Sequence, residues 1–69
     1  MKISARNILK GKIKSIQHGA VNTEVIIELP GGDVIVSVVT KKAVEALNVQ
    51  EGSEIYAVIK ASSVMLATD

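Results

Sequence analysis

Residues 34–48 read VIVSVVTKKAVEALN, and the change of pattern inside this stretch decides the fold. From Val34 to Val39 only Ser37 interrupts a run of β-branched residues, which are stiff at χ1 and suit a pleated strand. At Thr40 the period changes. Ala43, Val44 and Leu47 recur at helical spacing behind a threonine of N-cap type, with Asn48 near the far end. A strand therefore runs straight into a helix of about two turns, too short to stand without packing on a sheet. A short strand that is apolar on both faces is covered on both, so its outer face is expected to meet another subunit.

On the upstream side lies Pro30-Gly31-Gly32-Asp33, the strongest turn in the chain, in which proline fixes φ and the glycines allow positive φ. It joins the valine-rich strand to a preceding one in which Val21, Thr23, Val25, Ile27 and Leu29 alternate with Asn22, Glu24 and Glu28. Ile26 breaks that polar face and points to partial cover there too. Before it, Ile8 to Ile16 alternates Lys10, Lys12 and Lys14 against Leu9, Gly11 and Ile13, a strand with one wet face that closes at the His18-Gly19 turn. Gly11 marks a bend or a close backbone approach. Downstream, Gln50-Glu51-Gly52-Ser53 turns the chain into a strand around Ile55, Ala57 and Ile59, and Ser62-Ser63 separates this from a last strand, Val64 to Ala67. The order strand, strand, strand, short helix, strand, strand predicts an all-β, OB-like five-stranded Greek-key barrel with its helix between strands three and four.

Sixty-nine residues make one domain, 1–69, and a domain of this size buries only about 60% of its unfolded surface. The chain has no cysteine, one histidine and scattered carboxylates, so neither disulfides nor a metal-ligand cluster can staple it. Ten Val and nine Ile, with 48% hydrophobic residues, exceed what one small barrel interior needs. Oligomerisation is the remaining staple.

The net charge of +1 provides no general field for a polyanion or an anionic membrane, and no apolar run nears the roughly 20 residues that span a bilayer. A cytoplasmic protein is the expectation. No nucleophile with a base, no carboxylate pair and no phosphate-binding glycine loop is evident, so an enzyme is not expected. OB-like barrels that bind nucleic acid stack bases on aromatic side chains, and here Tyr56 is the only aromatic residue. The lysine stripe reads better as a solvated face that discourages edge pairing, and nucleic acid is not expected as a partner.

Two polar stretches remain, Ser4-Ala5-Arg6-Asn7 and Lys60-Ala61-Ser62-Ser63. Each places a hydroxyl and a cation two residues apart, hence on one side of an extended chain, and neither has a carboxylate beside it. Together they form a donor-only set suited to a small, fully ionised oxyanion, since charge-assisted hydrogen bonds are the strong ones. Taken from spacing alone, the same residues read more readily as exposed strand ends.

These stretches, SARN followed by LKGKI, then HGAVNTEV, the VVT before the helix, and YAVIKASSV, resemble the molbindins, small molybdate-binding proteins of the Mop type. The resemblance spans essentially the whole chain. It implies an OB-like barrel assembled as a homohexamer, a trimer of dimers, that binds molybdate, and often tungstate, at subunit interfaces for intracellular storage or homeostasis. It requires no cofactor. Carried onto matching positions, it implies oxyanion binding by Ser4, Arg6, Lys60, Ala61 and Ser62, and a second site around Gly19, Ala20, Val21 and Asn22. Where relatives fuse this domain to a regulator or an importer, no such fusion is expected here, so neither DNA binding nor ATP hydrolysis is implied. The alternative is an OB-like interaction module for RNA or a protein partner. A pterin ligand would want a roomy pocket with ring-facing groups, which the single tyrosine does not suggest.

Overall fold

The computed structural model describes all residues, 1–69. Four strands form one curled antiparallel sheet: β1 (Asn7–His18), β2 (Asn22–Glu28), β3 (Val34–Thr40) and β4 (Glu54–Ile59), in the spatial order β3-β2-β1-β4. Helix α1 (Lys41–Leu47) lies between β3 and β4 in sequence. The architecture is OB-like, as the element order predicts, but with four strands in place of five.

The long first strand organises the sheet. Its first half, Asn7–Lys12, pairs with β4, and its second half, from Lys12 to His18, pairs with β2, so Lys12 faces Glu54 on one side and Glu28 on the other. Pairing opposite halves of one strand with different neighbours shears the sheet and curls it. Two local features make the curl possible. Lys14 is the extra residue of a bulge between Ile13 and Ser15, and the bulge turns Ile16 back toward the core beside Ile13. Gly11 sits where a Cβ would lie 2.5 Å from the Glu28 carbonyl oxygen and 2.9 Å from Ile27 Cγ2. The expected close approach is therefore real, and Gly11→Ala should lower the unfolding free energy by about 1–3 kcal/mol, the usual overpacking cost, in a denaturant titration.

The turns follow the residue chemistry. Leu29 N–H donates to Asp33 O at 2.8 Å and Gly32 N–H to Leu29 O at 2.9 Å, with Gly32 at φ 96°, closing the β2–β3 hairpin. Thr40 caps α1 by accepting from Ala43 N–H at 3.1 Å, and Asn48 ends the helix in the left-handed region. Between α1 and β4, Ser53 N–H donates to Gln50 O at 3.0 Å while Gln50 N–H donates to Ser53 Oγ at 3.1 Å.

The core is small. Only seven of the 69 residues are buried, with Ile13, Val25, Ile27, Val44 and Ala57 as its hydrophobic centre. Thr23 completes the inward stripe of β2; it is fully buried and its hydroxyl has no partner. On β3 the inward positions Ile35 and Val39 pack on the core. The outward ones do not: Val36 is 58% and Val38 63% exposed. The expectation of a strand apolar on both sides holds, with its outer cover absent from the single chain.

The fifth strand is the main departure. Val64–Ala67 forms no ladder; after a single 3₁₀ turn, Ala61–Ser63, the chain continues extended and unpaired. The segment is apolar enough for a strand, but β3 and β4 are each paired on one side only, and it lies along neither. No helix is long and apolar enough to cross a membrane.

Candidate functional site

The two polar stretches at opposite ends of the sequence come together. Asn7 pairs with Ile59 at the last rung of the β1–β4 ladder, and the Asn7 side-chain amide donates to Ile59 O at 3.3 Å, pinning that end. Continuing the same antiparallel register one and three residues further sets Arg6 opposite Lys60 and Ser4 opposite Ser62. The resulting depression, about 500 Å³, is lined by Ile3, Ser4, Ala5, Arg6, Lys60, Ala61 and Ser62. All five residues expected for the first site therefore line one cavity of a single chain.

Its chemistry is that of a donor set. The turn at residues 61–63 is closed by Ser63 N–H donating to Lys60 O at 2.8 Å and Val64 N–H to Ala61 O at 3.3 Å. The leading N–H groups of such a turn, those of Ala61 and Ser62, have no partner within it. Two hydroxyls and two cations join them. No carboxylate lines the cavity, and the one ion pair of the structure, Lys10 with Glu54 at 3.4 Å, lies elsewhere. Arg6 and Lys60 thus line one cavity whose wall carries no carboxylate. The site is open, since Ser4, Arg6, Lys60, Ala61 and Ser62 are all exposed in the single chain.

The second expected site is only partly assembled. Ala20 and Val21 line a depression with Thr40, Lys41, Lys42 and Glu45, whereas Gly19 and Asn22 do not contribute to it. Gly19 instead closes the β1–β2 turn: its N–H donates to Asn22 O at 2.8 Å, and a Cβ there would meet that oxygen at 2.7 Å. Lys41 N–H donates to Val21 O at 3.2 Å and so joins the start of the helix to this turn. Lys41 and Lys42 are the cations that sequence reading left out of this region. Their signal was the basic pair directly after the Thr40 cap, but nothing local ties that pair to residues 20–21. Glu45 makes this depression less suited to an anion than the first.

Residues 3–66 match the TOBE domain family. The chain belongs to that family. Among TOBE relatives, a probable molybdenum-pterin-binding protein of Haemophilus influenzae is 54% identical over 69 residues, covering the whole of both chains. The solved structure of MopII from Clostridium pasteurianum superposes with a TM-score of 0.92 at 45% identity, covering 97% of this chain and 100% of that one. The cytoplasmic molybdate-binding protein ModG, in a form with molybdate bound, gives a TM-score of 0.83 at 43% identity, covering 96% of this chain and 53% of the ModG chain. The resemblance drawn from the SARN and KASS stretches is thereby upheld at the level of family and fold.

Proposed function

We propose that this TOBE domain binds molybdate, and tungstate as its near congener, in the cavity between residues 3–6 and 60–62, as an intracellular store or buffer of the oxyanion. The observation that carries the reading is the convergence of Arg6 and Lys60, with two serines and a pair of free N–H groups, in a cavity without a carboxylate. Molybdate at neutral pH is a tetrahedral dianion whose oxygens all accept. Arg6 and Lys60 match its charge, Ser4 and Ser62 donate from their hydroxyls, and the Ala61 and Ser62 amides fix its orientation. Molybdate-binding relatives of the same fold support this ligand over RNA or a protein partner.

The names of several relatives join molybdenum to a pterin. The cavity offers no aromatic ring against which a pterin would stack, so the oxyanion itself is the ligand we assign. In this reading the protein works as a cytoplasmic homo-oligomer, a hexamer built as a trimer of dimers, whose neighbouring subunits close the open side of each site. The exposed valines of β3 favour such an assembly. Titration calorimetry with molybdate, tungstate and sulfate on the purified oligomer tests the assignment: heat with the first two is expected. A folded oligomer that gives none with any of the three would overturn it.

A further inference from the structure

Asn7 ends the Ser4-Ala5-Arg6-Asn7 stretch, and the anion site leaves it without a role. It does not line the cavity between residues 3–6 and 60–62. By alternation it stands on the opposite face from Arg6, in the same row as Gly11 and Ile13, the two buried positions of β1. A half-buried amide in a row that otherwise faces the core is costly unless it is hydrogen-bonded.

The bond it makes is unlike the others. Three side-chain hydrogen bonds form in the chain. Two of them, at the Thr40 cap and in the Gln50–Ser53 turn, join residues three apart. The third runs from the Asn7 amide to the Ile59 carbonyl and joins residues 52 apart. It lies on the last rung of the β1–β4 ladder. Beyond that rung no backbone hydrogen bond links residues 3–6 to residues 60–62, and chain ends without such links open first. Charge does not draw the two segments together either, because Arg6 and Lys60 have the same sign and the cavity wall has no carboxylate. The Asn7 bond is the last tie between the strands before the site.

Its acceptor is as informative as its donor. The Ile59 carbonyl and the Lys60 N–H belong to one planar peptide unit, so a donor that holds the carbonyl also holds the direction in which Lys60 leaves the sheet. On its other side the Lys60 carbonyl accepts from Ser63 N–H at 2.8 Å, with Lys60 at φ −63° and ψ 131°. Both peptide units that flank Lys60 are thus held, one by Asn7 and one by the turn that carries the free Ala61 and Ser62 amides. Arg6 directly precedes Asn7. One side chain therefore couples the backbone that bears Arg6 to the peptide that bears Lys60.

We propose that Asn7 is a positioning residue of the anion site: its amide sets residues 60–62 against residues 4–6 before the ion arrives, so that the cost of ordering them is not taken from the affinity. This deepens the proposed function and rests on it. Asn7 does not touch the ion and acts through Lys60.

Asn7→Leu keeps the volume and loses the donor, whereas Asn7→Asp keeps the shape and at neutral pH offers acceptors alone. Titration calorimetry with molybdate is run well below the unfolding midpoint, on oligomer whose mass is checked by light scattering. Asn7→Leu should weaken binding about three- to tenfold, the effect of one net hydrogen bond, and Asn7→Asp at least as much. A residue that only stabilised the fold would leave the affinity of the folded protein unchanged. In an Arg6→Ala background the added Asn7→Leu should cost less than about twofold, because an ion held mainly by residues 60–62 follows that segment wherever it lies. Wild-type affinity in Asn7→Leu protein, or losses that multiply in the double variant, would overturn the positioning role and leave the proposed function standing. So would failure of both single variants to fold and assemble, which would make Asn7 a residue of the fold. Wild-type oligomer that binds no molybdate would overturn both.

Discussion

Arg6→Ala should weaken molybdate binding about ten- to a hundredfold, the effect of removing one hydrogen-bonding charge from an anion site, while the oligomer keeps its mass. The two halves of this expectation have different causes. With ligand bound, the guanidinium donates to an oxygen of a dianion and neutralises part of its charge. Without ligand, Arg6 shares a cavity with Lys60 that has no carboxylate in its wall, and the exposed guanidinium makes no ion pair that its removal would break. Arg6→Glu goes further, because it sets a carboxylate where the anion sits, and binding should fall below detection. Calorimetry for affinity and light scattering for mass separate the roles. If Arg6→Ala protein dissociated to monomers in the absence of ligand, Arg6 would be an assembly residue and the donor-set reading would fail.

Local chemistry made much of this fold legible. Thr40 caps its helix because a threonine before a helical repeat has a free N–H to accept from, and Pro30–Asp33 turns because proline and glycine restrict and permit the needed φ values. Gly11 was readable as a close approach, although only the sheet shows that the obstacle is the Glu28 carbonyl. The bulge at Lys14 was not readable. Strict alternation puts Ile16 on the lysine face, and its return to the core depends on how β1 pairs with β2, a tertiary matter. The last strand was legible as a sequence and wrong as an element of this sheet, since Val64–Ala67 has the composition of a strand but no ladder within its own chain. Composition records that a segment suits a strand and not whether a ladder takes it up.

The candidate site divides in the same manner. Nothing in the spacing of SARN or of KASS separates a binding segment from an exposed strand end; the two are paired by their shared donor-only chemistry, and the resemblance to a family gives that pairing its ligand. The structure adds the physical reason they meet: the β1–β4 ladder ends at Asn7 and Ile59, so the next residues of both strands emerge together. For the second region the sequence suggested residues 19–22, but Gly19 and Asn22 are occupied in closing their own turn. The cations that do reach Ala20 and Val21 arrive from the start of α1.

Saturating molybdate should raise the unfolding midpoint by roughly 10–20 °C. A ligand present at a hundred times its Kd and bound only by the folded state adds about 2.7 kcal/mol per site. In a domain of this size each kcal/mol moves the midpoint by about 4–8 °C. Affinity and concentration set the size of the gain, and the place of the site sets which part of the chain is held. Residues 4–6 and 60–62 lie beyond the last paired rung of their strands, and chain ends of this kind open first unless they are tied down. An anion held by Arg6 and Lys60 together closes the β1–β4 ladder at its loose end, in a protein with only five buried hydrophobic residues to hold it otherwise. Thermal scans with molybdate, tungstate and sulfate at equal concentration would show the shift, and Arg6→Ala protein should show no more than about half of it at the same concentration. A midpoint that did not move under molybdate, at a concentration where calorimetry reports saturation, would mean that the ion does not prefer the folded state over the unfolded chain, and a site that exists only when the β1–β4 ladder brings residues 3–6 and 60–62 together would be excluded.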